Sequence, residues 1–308
     1  MEAMIIMRQA WWLAASCGLV IPMASLAGKN APVPREAATV VALDGSGLFK
    51  SIQEAINAAP QLTDPAATWT IRIRPGVYHE LLYVMREKRF IRLVGDDPAH
   101  TIISGGLYAG MLGQDGQPIG TFRTPTVWID ADDFALEGLT IANEAGAVGQ
   151  ALRVDGDRVT CKRCRFAGWQ DTILCNRGRH YFENCTIMGA VDFIFGGGTA
   201  FFESCDIVCT GDGFITAAST LPYADYGFVF ANCLIHGANP AVRTYLGRPW
   251  RAFASVWFIN TEMSEVILPA GWHNWDMADS RWRAVEVADG VDHRDDVGHR
   301  CSFVICES

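Results

Sequence analysis

Two stretches of the chain, FENCTI at residues 182–187 and FESCDI at residues 202–207, follow one frame of apolar and polar residues. The frame reads apolar, any, small or polar, Cys or apolar, any, apolar. It recurs six times, at residues 136–141, 161–166, 182–187, 202–207, 230–235 and 258–263. The starts are therefore 25, 21, 20, 28 and 28 residues apart. Self-similarity at such a period is typical of repeat architectures.

Each repeat has the pattern of a short β-strand bounded by Gly, Asn or Asp, and no helical periodicity lies between repeats. The period is too short for a propeller blade of about 40 residues, and the Leu-rich consensus of a leucine-rich repeat is missing. One coil of a β-solenoid fits, because each coil stacks on the last and buries a continuous core. We predict an all-β fold, a single-stranded right-handed parallel β-helix (solenoid) with an N-terminal capping helix.

The predicted capping helix begins at Ser51. Ser51 and Glu54 match a capping box, in which Ser51 accepts from the amide three residues on and Glu54 reaches back. Its apolar face is made by Ile52, Ala55, Ile56 and Ala59. Pro60 ends it. The open end of a solenoid needs covering, so we expect the helix to cap it, with a partner-binding role as the alternative.

The N-terminus reads as a secretory signal. Arg8 precedes a largely apolar run over residues 10–23, and Ser25-Leu26-Ala27 offers a cleavage site after Ala27. The run is short for a membrane anchor of about 20 residues. A lipoprotein with lipidated Cys17 is a weaker reading, because Ala14 stands where a larger aliphatic residue is expected. We predict a signal peptide over 1–27, one domain over 28–308, and a secreted (extracellular or periplasmic) protein.

The chain has ten cysteines, and nine remain once Cys17 is removed with the signal, so at least one is unpaired within the chain. Four occupy one position of the frame and should form an internal stack of small buried thiols: Cys164, Cys185, Cys205 and Cys233. The alternative to simple core packing is that Cys161 and Cys164 bind zinc. Residues three apart on a strand point to opposite faces, however, and no second Cys-x-x-Cys follows. We therefore expect no metal site.

The charge of the chain narrows the function classes. The formal net charge is −9 and the sequence pI is about 5.2, with no run of Lys or Arg. This argues against binding to nucleic acid or to an anionic membrane. An acidic polysaccharide remains possible, although it would need a local Arg.

Two carboxylates occupy equivalent positions of neighbouring repeats. Asp171 lies ten residues after Cys161, and Asp192 lies ten after Phe182. They should therefore stand side by side on adjacent coils, about 4.8 Å apart. Their repulsion would raise one pKa. Asp212 has the same offset in the next repeat, but flanking glycines favour a turn there.

Two glutamines accompany the carboxylates. Gln170 immediately precedes Asp171, and Gln150 lies in the preceding coil. Amide side chains can donate hydrogen bonds to a developing oxyanion. A stacked amide ladder or plain strand polarity is the alternative role.

Five segments resemble the pectin methylesterases in order and spacing: GVYHE at 76–80, QAL at 150–152, QDTIL at 170–174, DFIFG at 192–196 and LGRPW at 246–250. The resemblance covers about residues 38–285. Residues 214–220 are similar to the bacterial-type branch of the family. Ile173 stands where Leu is more usual, and the tail after Gly290 does not align.

The resemblance implies a catalytic domain over 28–308 that hydrolyses the C6 methyl esters of homogalacturonan. It implies these roles: Asp192 as nucleophile, Asp171 as proton donor and acceptor, Gln150 and Gln170 as oxyanion stabilisers, Arg248 as the residue that orients the nucleophile, and Trp250, Phe195 and Thr121 as substrate-binding residues. Arg248 should lower the pKa of Asp192 and keep it ionised. The expected ligand is methyl-esterified polygalacturonate, bound by a monomer without metal or cofactor, and with no nucleic-acid or membrane partner after signal removal.

Three other functions fit a β-helix. An inverting polygalacturonase needs carboxylates about 6.5–9.5 Å apart, wider than the pair inferred here. A pectate lyase would need a calcium-binding acidic cluster, which the sequence lacks. In a noncatalytic polysaccharide-binding solenoid the aromatic residues would bind and the acids would be incidental. A methanol-release assay separates the esterase from all three.

Overall fold

The computed structural model describes residues 36–275, 283–286, 299–301 and 304–307, and side chains from 38 to 275. The described residues belong to one compact unit. The predicted signal peptide over 1–27 lies outside them, as does Cys17. No helix in the described residues is long and apolar enough to cross a membrane.

Most of the chain forms parallel strands, numbered here in chain order. A first sheet has nine strands, in this spatial order: β1 (Glu36–Val41), β2 (Thr68–Ile73), β5 (Ile91–Gly95), β8 (Ala135–Glu137), β11 (Val159–Lys162), β14 (Arg179–Glu183), β16 (Thr199–Glu203), β18 (Phe228–Ala231) and β21 (Val256–Ile259). All its pairs are parallel.

A second sheet has fourteen strands in two connected rows. One row holds β3 (Gly76–Tyr78), β6 (Thr101–Gly105), β9 (Thr140–Asn143), β12 (Arg165–Ala167), β15 (Thr186–Gly196), β17 (Asp206–Ala218), β19 (Leu234–Gly237), β22 (Thr261–Met263) and β24 (His299–Cys301). The other row holds β4 (Leu82–Val84), β7 (Val127–Ile129), β10 (Leu152–Val154), β13 (Ile173–Cys175) and β20 (Thr244–Gly247). The long strands β15 and β17 pair with both rows. Near the C-terminus, β23 (Arg283–Glu286) and β25 (Val304–Glu307) form an antiparallel pair.

The first two residues of each predicted repeat lie in the first sheet, and the last two lie in the second. Their starting residues pair in one continuous row: Leu136, Cys161, Phe182, Phe202, Phe230 and Phe258. The last four phenylalanine rings stack with successive centroid distances of 4.7, 4.4 and 4.8 Å. The parallel β-helix is thus confirmed, and its repeat is one coil.

The third position of the frame is small or polar because the backbone turns there. Five non-glycine residues at this position have φ between 47° and 55°: Arg163, Asn184, Ser204, Asn232 and Asn260. This left-handed region is tolerated best by Gly, Asn and Asp. The turn swings the next side chain back into the core, which produces the predicted cysteine stack. Cys164, Cys185, Cys205 and Cys233 are at most 3% exposed.

The same turn corrects the prediction about Cys161 and Cys164. They were expected to face opposite ways, but both are buried, 0% and 2% exposed, because Arg163 between them is left-handed. Seven cysteines of the described residues are free and buried. Within the same residues no group of three or more His, Cys, Asp or Glu side chains could hold a metal ion.

The predicted helix is α1 (Ile52–Ala58), which packs against β1, β2 and β4 with its apolar face buried. Ser51 accepts from the Glu54 N–H at 3.3 Å, as predicted. Glu54 does not reach back, because another carboxylate occupies that end. Glu80 accepts from the Ile52 N–H at 2.9 Å, the Gln53 N–H at 3.1 Å and the Ser51 hydroxyl at 2.6 Å.

The other end of α1 is held by a buried lysine. The Nζ of Lys88 donates to the carbonyls of Asn57 and Ala59 at 2.8 and 2.6 Å. A single turn of 3₁₀-helix, Thr121–Arg123, precedes β7.

Candidate active site

Asp171 and Asp192 stand on neighbouring coils in matching register. Ile173 pairs with Ile194, and the Asp171 N–H donates to the Val191 carbonyl at 3.0 Å. The two aspartates are 9% and 5% exposed. Both have left-handed backbones, with φ of 62° and 49°. Such conformations cost of order 1 kcal/mol each and cluster at functional sites.

Arg248 binds Asp192 through two hydrogen bonds. Its Nε lies 2.8 Å from Asp192 Oδ1, and its Nη2 lies 2.6 Å from Oδ2. The guanidinium carbon lies 4.0 Å from the ring centre of Phe214 and 3.7 Å from that of Trp275. A forked ion pair and contacts with two rings leave Arg248 little freedom, so the carboxylate of Asp192 is fixed in orientation.

The pKa values of the two carboxylates differ from the sequence expectation in one respect. Burial raises the pKa of Asp192, and the hydrogen bonds and charge of Arg248 only oppose that rise. Arg248 thus lowers the pKa of Asp192 as expected, but burial outweighs it and the pKa is raised overall, because a site this buried withholds hydration from the anion. Burial, then the charge of Asp192, raises the pKa of Asp171 to about 7. The Asp171 carboxyl therefore keeps its proton to a higher pH than an exposed aspartate does.

The two glutamines lie beside this pair but differ in surroundings. Gln150 is fully buried, and by the pairing of Leu152 with Ile173 it stands on the rung of Asp171. Both polar atoms of its side chain lack a hydrogen-bond partner among the described residues. Gln170 is half-buried, and its backbone forms an isolated parallel β-bridge with Val191 of the next coil. An unpaired buried amide is free to donate to a ligand.

The predicted substrate-binding aromatics form a patch on the outside of the coil. Phe195 is 4% exposed and packs with Leu174 and Ala217, apart from the main core. The ring of Trp250 lies 5.9 Å from that of Phe195. Thr121, the third predicted position, opens the 3₁₀ turn that precedes β7.

A family model named Pectinesterase matches residues 38–285. The chain belongs to the pectinesterase family. It is 39% identical over 248 residues to pectinesterase 31 of Arabidopsis thaliana, covering 78% of each chain. Two further Arabidopsis relatives, whose names combine pectinesterase and pectinesterase inhibitor, are 36% and 35% identical, and the chain spans 41% and 54% of their length.

Solved pectinesterase structures have the same fold. The carrot pectin methylesterase superposes with a TM-score of 0.71 at 34% identity, over 77% of each chain. A pectin methylesterase in complex with a hexasaccharide superposes with a TM-score of 0.69 at 32% identity, over 75% of this chain and 80% of that one. The predicted right-handed parallel β-helix and the predicted class of carboxylic ester hydrolase are both confirmed.

Sequence reasoning missed two aromatic residues of this pectinesterase site. Phe122 is 46% exposed, and its ring is stacked 6.3 Å from that of Trp250. Trp275 covers Arg248 and packs on the Phe195 cluster. Phe122 adjoins Thr121, which was a usable signal. Trp275 lies outside the repeat frame, and only the folded chain brings it to Arg248.

Asp212 does not extend the pair of carboxylates. It lies within β17 rather than in the expected turn, is exposed, and accepts from the Arg243 N–H at 2.8 Å. The register between β15 and β17 shifts around Val191, which removes Asp212 from the row of Asp171 and Asp192.

Proposed function

We propose that this chain hydrolyses the C6 methyl esters of homogalacturonan to carboxylate and methanol, with Asp192 as nucleophile and Asp171 as general acid and base. One observation carries the assignment of roles. Two buried carboxylates of equivalent position have opposite surroundings, since Arg248 binds Asp192 and no cation binds Asp171 among the described residues. An anion held in place suits attack, and a carboxyl with a pKa near 7 suits proton transfer.

The proposed reaction has two steps. Asp192 attacks the ester carbonyl, and the amides of Gln150 and Gln170 stabilise the oxyanion. The C–O bond to methanol breaks as Asp171 gives it a proton, which leaves an anhydride between the galacturonate and Asp192. Water then attacks this acyl-enzyme while Asp171 takes a proton back, releasing a galacturonate carboxylate.

The substrate side of the proposal rests on aromatic faces. Trp250, Phe195 and Thr121 would hold the sugar that carries the reacting ester. Trp250 is half-buried, so part of its indole is available to a ligand, and aromatic rings suit sugars with one apolar and one polar side.

The test is release of methanol from highly methylated pectin by the wild type and three variants. Asp192→Asn should reduce the rate by at least about 10³-fold, and Asp171→Asn should also reduce it strongly. Asp212→Asn is the matched control, because this carboxylate has the same repeat offset but lies outside the pair; it should keep the wild-type rate. A wild type that binds pectin without releasing methanol would instead indicate a noncatalytic solenoid.

A second assay, in which metal ions are removed with EDTA, separates the esterase from a lyase. All proposed groups are side chains, so EDTA should leave the rate unchanged. Activity lost in EDTA and restored by calcium would favour a lyase.

We also propose a finer placement. The segment at residues 214–220 supports the bacterial-type branch, because plant members favour a Gln near the position of Ala218. A family tree that groups the chain with plant enzymes would reject this placement.

The apolar run over residues 10–23 supports export to the cell exterior or periplasm. The net charge supports a protein that binds neither nucleic acid nor membrane. The resemblance supports a monomer, and sedimentation tests its mass.

A further inference from the structure

The side chain of Gln150 is held by packing and by the backbone that carries it. Both of its amide atoms are buried, and neither has a hydrogen-bond partner among the described residues. The contacts that hold the main chain of Gln150 therefore help to set the position of its amide. Two side chains outside the predicted site do this.

Thr124 holds the N–H side. Its Oγ1 accepts a hydrogen bond from the Gln150 N–H at 3.0 Å and donates one to the Thr121 carbonyl at 2.7 Å. Thr124 is fully buried. Because its proton and one lone pair are both engaged, the hydroxyl has a single orientation.

Asn143 braces the carbonyl side. Its Nδ2 lies 3.2 Å from the Gln150 carbonyl, 2.9 Å from that of Leu107 and 3.3 Å from that of Thr124. Asn143 is 5% exposed. The Thr126 N–H also donates to the Gln150 carbonyl, at 3.0 Å. Three segments of chain are thus tied together at the residue that enters the site.

We propose that Thr124 is a positioning residue, which holds Gln150 so that its amide reaches the oxygen of the reacting ester carbonyl. The inference rests on the proposed function, in which Gln150 stabilises the oxyanion. Thr124 acts through Gln150 and does not contact the reacting atoms. A misplacement of about 1 Å can cost up to about 10²-fold in rate, so its loss should lower kcat.

The first test compares Thr124→Val, Thr124→Ser and Thr126→Val for methanol release. Thr126 is the matched control: it is equally buried, its hydroxyl donates to the Ala142 carbonyl at 2.8 Å, and Thr126→Val keeps the backbone N–H that donates to Gln150. Thr124→Val should lower kcat about 10- to 100-fold with KM little changed. Thr124→Ser keeps the hydroxyl and should restore most of kcat. Equal losses in Thr124→Val and Thr126→Val would overturn the proposal. If Thr124→Val does not fold, Thr124→Ala takes its place.

The second test is a double-mutant cycle with Gln150→Ala. If Thr124 acts only through Gln150, Thr124→Val should cause no further loss in the Gln150→Ala background. Losses that multiply would show an independent role and overturn the proposal. If Gln150→Ala loses most of its kcat while Thr124→Val keeps it, the positioning role of Thr124 is overturned and the proposed function stands. An unaffected Gln150→Ala would overturn the oxyanion role as well.

Discussion

Asp171 and Asp192 are equivalent by repeat and distinct by environment. Each ends up left-handed and buried on its coil, so the local backbone does not tell them apart. Arg248, which comes from the end of β20, 56 residues after Asp192, makes the difference. The repeat spacing predicted the pair, whereas the physical source of their asymmetry is a contact across coils.

An activated aryl ester should separate the two roles. Its leaving group departs without a proton, so Asp171→Ala should retain acylation of this substrate while losing most turnover of methyl esters. Asp192→Ala should fail with both substrates, because it lacks the nucleophile. The measurement is the burst and steady-state release of the aryl alcohol. Rescue of Asp192→Ala but not of Asp171→Ala would invert the assignment.

The raised pKa of Asp171 also predicts a stability cost at alkaline pH. The pKa of this carboxyl is about 7 in the folded protein, against a usual value of 3.8. Its contribution to stability is therefore present at low pH and is lost as the pH rises through 7. Asp171→Asn should therefore raise the Tm at pH 8 by several degrees, about 1–3 kcal/mol, and change it little at pH 4. Thermal melts at both pH values test this. Asp212→Asn is the exposed control, and an equal Tm change for Asp171→Asn at both pH values would contradict it.

Trp250 has a testable role distinct from core packing. It packs on the outer cluster of Phe195 and not in the main core. Trp250→Ala should raise KM while leaving kcat and the Tm nearly unchanged, because the variant loses the exposed indole face that would contact the sugar. Phe258→Ala serves as the contrast, because that ring is fully buried in the core stack and its loss should cost about 3–5 kcal/mol of stability. A Tm drop of that size in Trp250→Ala would show that Trp250 is a core residue.

At the scale of elements, the frame predicted the later coils and missed the earlier ones. Thr39, Ile71 and Leu93 continue the row of Leu136 toward the N-terminus. They escaped detection because the residues after them do not follow the frame, in which a small or polar residue precedes Cys or an apolar residue. The helix at Ser51 was predicted from local sequence alone. Glu80, which caps the helix together with Ser51, is 28 residues from Ile52, and no local pattern could reveal that contact.

Glu80 should contribute more to stability than Glu54, although the sequence pattern favours Glu54. Its carboxylate accepts two backbone N–H groups and the Ser51 hydroxyl, so Glu80→Gln should cost about 1–2 kcal/mol. Glu54→Gln is the matched control, because Glu54 is exposed and accepts none of these bonds; its cost should stay below about 0.5 kcal/mol. Denaturant unfolding of both variants gives the comparison. Equal losses in the free energy of unfolding for the two variants would mean that the hydrogen bonds to Glu80 add nothing to stability.

At the scale of the whole molecule, the solenoid brings together residues that the sequence separates widely. Gln150, Asp171 and Asp192 come from consecutive coils, and the repeat offset predicted the pairing of the two aspartates. Arg248, Phe122 and Trp275 come from connections between strands, which vary in length and carry no period. The regular part of the site was therefore predictable from spacing, whereas Arg248 was found by resemblance and the other two by the fold.

The predicted signal segment precedes the part of the chain that matches the family. The family match begins at residue 38 and β1 begins at Glu36, so the sequence before Ala27 is not part of the matched domain. With Arg8, the apolar run and the small residues Ser25 and Ala27, we expect cleavage between Ala27 and Gly28 on export. N-terminal sequencing and mass measurement of exported protein should give a chain that starts at Gly28. Ala27→Arg should block that cut, since a small residue is required there, whereas Lys29→Ala lies beyond it and serves as the control. Exported protein that still carried residues 1–27 would contradict the prediction.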